Sequence, residues 1–100
     1  MNLLENNSSL IQMLCQKHRV KHLFAFGSVL TNSFNTSSDI DLLVAFENVD
    51  VQHYADNYFD LKFALQDALN HKIDLVEEQA ISNPYFKQTL DSTKHLIYGA

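Results

Sequence analysis

Three aspartates stand inside apolar, β-type runs, and this placement constrains the chain more than any other feature. Asp39 and Asp41 open the run Asp39-Ile40-Asp41-Leu42-Leu43-Val44-Ala45-Phe46, and Asp74 lies within Lys72-Ile73-Asp74-Leu75-Val76. Aspartate is unfavourable in a strand interior, and an unpaired carboxylate at the mouth of a buried strand is costly. Alternation along a strand puts Asp39 and Asp41 on one face, with Cα atoms about 6.7 Å apart. Two anions that close repel unless a cation lies between them. Hard oxygen ligands at this spacing suit Mg²⁺ bridging to substrate phosphates. One such aspartate reads as a loop cap or a solvated edge. Three on two strands point to a shared metal site.

A second motif precedes the first pair. Phe24-Ala25-Phe26 leads into Gly27-Ser28, and ten residues separate Ser28 from Asp39. Glycine permits a sharp turn and close backbone approach. Ser28 falls where a helical turn begins, so free backbone N–H groups and a hydroxyl make a phosphate site.

The surrounding pattern alternates helix and strand. Ser8 or Ser9 caps a first helix that runs to about Arg19, with Leu10, Met13 and Leu14 recurring at three and four. Val20–Phe26 reads as a strand, 28–33 as a short helical turn and 34–38 as a polar loop. Asp39–Phe46 is the second strand. A long helix over Val51–Asn70 carries Tyr54, Tyr58, Leu61 and Leu65 on one stripe. Lys72–Glu77 is the third strand. Ser82 or Asn83 caps a last helix with Pro84 at its first position, and His95–Tyr98 forms a final short strand. The order α-β-α-β-α-β-α-β predicts an α/β (α+β) fold, a small mixed sheet with helices packed against it.

Composition narrows the function classes. With 46% hydrophobic and 19% charged residues, the 100-residue chain reads as one globular domain over 1–100. A net charge of −5 argues against general nucleic-acid binding. The basic cluster Lys17, His18, Arg19, Lys21 and His22 is read as a helix C-terminus, where cations suit the dipole. One cysteine excludes an internal disulfide and a cysteine-based zinc cluster. No apolar run reaches membrane length and no signal peptide is recognisable, so a cytoplasmic location is expected. His18, His22, His53, His71 and His95 lack metal-ligand spacing and are read as surface or structural. Cys15, Tyr54 and Tyr58 are read as packing residues, and Glu77 and Glu78 as solvated.

Gly27-Ser28, Asp39-Ile40-Asp41 and Asp74 together resemble the nucleotidyltransferase superfamily of the DNA polymerase β type. The closer likeness is to its minimal branch, the MNT proteins. It spans nearly the whole chain through FAFGSV, SDIDLLVAF, KIDLV and the ending NPYFKQTLDSTKHLIYG. The chain departs from many MNT proteins after Ser28. Val29-Leu30-Thr31-Asn32 stands where arginines are common, leaving Lys62, Lys72 or a partner to steady a triphosphate.

The resemblance implies a polymerase β-like fold and a nucleotidyltransferase activity. It implies ATP phosphates against Gly27 and Ser28, two Mg²⁺ ions on Asp39 and Asp41, and Asp74 joining the catalytic metal. AMP would pass to an acceptor hydroxyl as pyrophosphate leaves. The chain has no room for an acceptor domain, and its acidity argues against tRNA or DNA. The expected acceptor is therefore a protein hydroxyl, a tyrosine of a HEPN-type ribonuclease toxin for which this chain is the antitoxin. Two other readings stand beside it: an antitoxin that works by binding alone, and a small-molecule nucleotidyltransferase that needs a helical subunit from another chain.

Overall fold

The computed structural model describes residues 2–99. Helices α1 (Asn2–Asn6) and α2 (Ser8–Lys17) lead into β1 (Val20–Phe26), which passes directly into a 3₁₀ turn over Gly27–Leu30. β2 (Ile40–Phe46), α3 (Val51–Leu69), β3 (Ile73–Glu77), a 3₁₀ turn over Glu78–Ala80, α4 (Pro84–Thr93) and β4 (His95–Tyr98) follow. The strands form one sheet in the order β3-β2-β1-β4. β1 is antiparallel to both β2 and β4, whereas β2 and β3 are parallel and joined through α3. The mixed sheet expected from the sequence is the sheet observed. None of the described helices is long and apolar enough to cross a membrane.

Alternation assigns the two faces of the sheet. Leu23 and Ala25 of β1, Ile40, Leu42 and Val44 of β2, and Ile73 and Leu75 of β3 point to one side. They pack there against Ile11 and Cys15 of α2 and Leu61, Leu65 and Leu69 of α3. Phe24, Phe26, Asp41, Leu43 and Asp74 occupy the intervening positions and face the other way. Part of that second face is covered by α4. Phe86 meets Phe26 edge to face at 6.2 Å, and the Lys94 ammonium lies 4.3 Å above the Phe24 ring. Leu90 of the same helix is buried.

Local signals explain most element ends. Asn83 Oδ1 accepts from the N–H groups of Tyr85 and Phe86 at 2.9 and 3.2 Å, with Pro84 at the first helical position. Asn70 ends α3 in the left-handed conformation at φ 52°.

The N-terminal region differs from the expectation. A separate short helix, α1, precedes Ser8, and Leu4 from it is buried in the core. α2 is entered from Asn7 without a side-chain cap, because the Asn7 amide turns back to donate to the Leu3 carbonyl at 2.8 Å. The helix stops at Lys17 rather than Arg19. Arg19 takes φ 59°, and its carbonyl accepts from the Glu47 N–H at 2.8 Å, tying the start of β1 to the end of β2.

Leu65 has no exposed surface and lies at the centre of the α3–sheet contact. Leu65→Ala is expected to destabilise the fold by about 3 kcal/mol through lost burial and a residual cavity. Urea denaturation read by circular dichroism measures this, and a cost under about 1 kcal/mol would contradict the assigned core.

Candidate active site

The site forms where the C-terminal end of β1 meets the N-terminal ends of β2 and β3. Phe26 pairs with Asp41 across the antiparallel ladder, and Asp41 pairs with Asp74 across the parallel one. Register partners share a face, so the two aspartates project side by side. Sequence alternation could say that each acid interrupts an apolar strand. Only the β2–β3 register makes them neighbours.

Asp39 sits differently from the sequence expectation. β2 begins at Ile40, whose N–H donates to the Lys72 carbonyl at 2.9 Å, and Asp39 precedes it as an exposed loop residue. The loop before it is held by its own polar groups. Asn35 Oδ1 accepts from the Ser37 N–H at 2.9 Å, and the Asn35 N–H donates to Ser38 Oγ at 3.1 Å.

Gly27 packs directly against Asp41. Its φ is +76°, a left-handed conformation, and a β-carbon there would lie 3.3 Å from Asp41 Cγ and overlap Asp41 Oδ2. Glycine is therefore required twice, by backbone conformation and by space. The 3₁₀ turn that follows is anchored by Val29, which is buried, while Ser28 remains partly exposed at the turn's start.

The electrostatics are those of crowded anions. Asp41 is pushed above the usual carboxylate range by burial first, then by the charges of Asp74 and Asp39 and by the nearness of the Asp74 carboxyl. Among the described residues, no three His, Cys, Asp or Glu side chains already converge into a metal cage. Mg²⁺ commonly uses only one or two carboxylates and completes its shell with water and substrate phosphates. An Asp41–Asp74 pair with a third carboxylate on an adjacent loop fits that donor chemistry.

Neighbouring residues sort by face. α3 packs on the core side of the sheet, so Lys62 lies across the sheet from Asp41, whereas Lys72 stands two residues before Asp74 at the site's own end. A cavity of about 750 Å³ opens at the other end of the sheet, lined by Lys21, His22, Phe46, Tyr54 and Glu78 among others. None of the three aspartates lines it.

Residues read as passive prove more specific. Glu77 is not merely solvated: it accepts from the Tyr54 hydroxyl at 2.5 Å. Burial, then this bond, pushes the Tyr54 phenol up to about 12. Glu78 likewise holds His22 Nε2 at 2.8 Å. Tyr58 both packs on the core and donates to the Leu75 carbonyl, tying α3 to β3 one residue beyond Asp74. Sequence stripes show such tyrosines as packing residues but cannot show where the hydroxyl ends. Cys15 is core as expected, and burial pushes its thiol up to about 12.

The model of the family described as Polymerase beta, Nucleotidyltransferase matches residues 8–100. The chain belongs to this nucleotidyltransferase family. A relative from Methanocaldococcus jannaschii, provisionally named a protein adenylyltransferase, is 39% identical over 87 residues, covering 87% of this chain and 84% of its own length. A solved structure, described provisionally as a minimal nucleotidyltransferase, shares 28% identity with a TM-score of 0.75, covering 91% of this chain and 89% of that one. A Shewanella oneidensis complex of a tri-AMPylated HEPN toxin with its MNT antitoxin matches in fold at a TM-score of 0.62 and 21% identity, covering 97% of this chain and 73% of that one. The nucleotidyltransferase domain is thus of the minimal type that the sequence resembled.

The crowding of Asp41 has a signed consequence. Its native carboxyl holds a proton to higher pH than the unfolded chain's, whose ordinary value is 3.8. Native protein therefore binds more protons than unfolded protein in the window just above 3.8, and stability falls as pH rises through it. Asp41→Asn removes the repulsion. It should melt above wild type at pH 7, with the gap closing below about pH 3.8, where Asp41 is neutral in both states. Thermal melts of metal-free protein across pH test this, and a variant that melts lower than wild type at pH 7 would count against it.

Gly27→Ala should do the opposite. Forcing φ +76° on a β-carbon that overlaps Asp41 is expected to cost about 1–3 kcal/mol and to displace the Asp41 carboxylate. The check is a urea midpoint beside nucleotide binding by calorimetry. Wild-type values in both would refute the close contact.

Proposed function

We propose that residues 1–100 act as one minimal nucleotidyltransferase domain that moves AMP from ATP to a tyrosine hydroxyl of a HEPN-type ribonuclease toxin and thereby serves as its antitoxin. The reading rests above all on the facing of Asp41 and Asp74 beside Gly27, with Asp39 adding a third negative charge. The charges of Asp74 and Asp39 disfavour ionisation of Asp41, and a cation bound among the three would relieve that repulsion. Asp39, Asp41 and Asp74 are the residues to hold two Mg²⁺ ions. Bound there, the metals would supply charge neutralisation at the α-phosphate and the leaving pyrophosphate.

The chain's own groups do the remaining work. Gly27 and Ser28 present backbone N–H groups and a hydroxyl to the phosphates at the start of the turn. Lys72 supplies a cation at the same end of the sheet, in place of the arginines absent after Ser28. The acceptor oxygen bonds to the α-phosphorus, the bond to pyrophosphate breaks, and Asp74 takes the phenolic proton. A protein partner brings the acceptor hydroxyl. Attached adenylate adds bulk and negative charge where RNA phosphate must sit, which suppresses cleavage. The site of action is the cytoplasm, where ATP and RNA are both present.

The reading is tested by co-expressing the chain with a HEPN-type ribonuclease, separating the two and weighing the partner. One or more AMP units of added mass, lost with Asp41→Asn, is the expected result. An unmodified partner that regains ribonuclease activity on separation would replace the enzyme with an antitoxin that acts by binding alone, the reading that the Val29-Leu30-Thr31-Asn32 segment favours.

A further inference from the structure

The outer face of α3 carries a feature that the nucleotide site does not use. Leu61, Leu65 and Leu69 turn into the core, and Phe59 and Phe63 lie about 140° round the helix from them, on the solvent side. Phe59 is 48% and Phe63 54% exposed. Their rings stack at 6.1 Å with planes 25° apart, and Tyr58 braces Phe59 edge-on at 5.0 Å. A paired, pre-ordered aromatic surface exposed on a helix is what a docking hot spot looks like before its partner arrives.

The charges beside it define that partner. At 3.6 residues per turn, Asp56, Asp60 and Asp67 line one flank of the aromatic pair, and Lys62 stands on the other. All three aspartates are exposed. The ion pairs among the described residues involve none of them. A second copy of this chain packed antiparallel across this face is a poor occupant. Antiparallel two-fold pairing lays each flank against the same flank of the other copy, aspartates against aspartates. An anionic lipid surface is repelled by the same ridge and by the net charge of −5.

We infer that the Phe59–Phe63 face of α3 is a docking surface for a protein partner that offers an apolar groove edged on one side by lysine or arginine. The aromatic pair supplies the anchor, and the aspartate ridge fixes register and speeds encounter. This face lies across the sheet from Asp41, so a partner can be held there while the nucleotide site stays open. The inference rests on the proposed function only in its choice of probe.

The probe is a HEPN-type ribonuclease, titrated by calorimetry at several salt concentrations, with AMP transfer measured at saturating partner. Phe59→Ala with Phe63→Ala should weaken binding by about 30-fold or more while leaving the melting temperature and transfer at saturation near wild type. Asp56→Asn with Asp60→Asn should flatten the salt dependence. Unchanged affinity in the phenylalanine variant, or an unchanged salt slope in the aspartate variant, would overturn the assignment. So would a wild-type dimer in sedimentation that Phe63→Ala dissolves, or a wild type that does not bind the probe. Transfer with unchanged affinity in the phenylalanine variant would sink this surface and leave the proposed function standing. Binding that depends on this face without any transfer would do the reverse.

Discussion

Asp41 and Asp74 repel each other, and the apolar layer beneath the sheet holds them side by side. The parallel register of β2 and β3 places Ile40 beside Ile73 and Leu42 beside Leu75, one residue to either side of the two acids. Those apolar neighbours are buried against α2 and α3. A slip of one residue would turn the acids into the core and the aliphatics into water. The core therefore enforces the charge pair, and burial of the aliphatics offsets the repulsion. Tyr58 adds a clamp at the next carbonyl along β3.

The same arrangement makes Gly27 part of the charge system rather than a simple turn residue. β1 is antiparallel to β2, so its last residue lies beside Asp41 and the chain must leave the sheet at that point. It leaves through a left-handed glycine in contact with the carboxylate. The backbone N–H groups of the Gly27–Leu30 turn and the carboxylates of Asp41 and Asp74 thus share one sheet end. Under the proposed function a nucleoside triphosphate would draw on both, the donors for its oxygens and the acids for the cations that accompany it.

The two faces of the sheet separate two tasks. The core face carries the helices that give stability, and the exposed side of α3 extends that layer outward as a stacked aromatic surface. The opposite face carries the acids and is only partly covered by α4. The carboxylates and the stacked aromatic pair thus lie on opposite sides of the domain.

Much of this was legible in the sequence. Apolar alternation with embedded aspartates located β2 and β3, Asn83-Pro84 located the start of α4, and Gly27-Ser28 marked the end of β1, because each is a local preference of backbone or side chain. Other features lie beyond local preference. The extra helix α1 and the left-handed Arg19 arise from packing and from the Arg19–Glu47 backbone bond. The partners of Glu77 and Glu78 are 23 and 56 residues away in the chain. The sequence by itself determined which residues are acidic, which are buried and which segment can turn. Only the tertiary structure decided that Asp41 faces Asp74 and touches Gly27, that Asp39 stays outside the strand, and that Phe59 and Phe63 remain in water. Hydrophobic pattern specifies how much surface must be buried and on which side, whereas neighbours across a sheet follow from register, which long-range pairing alone sets.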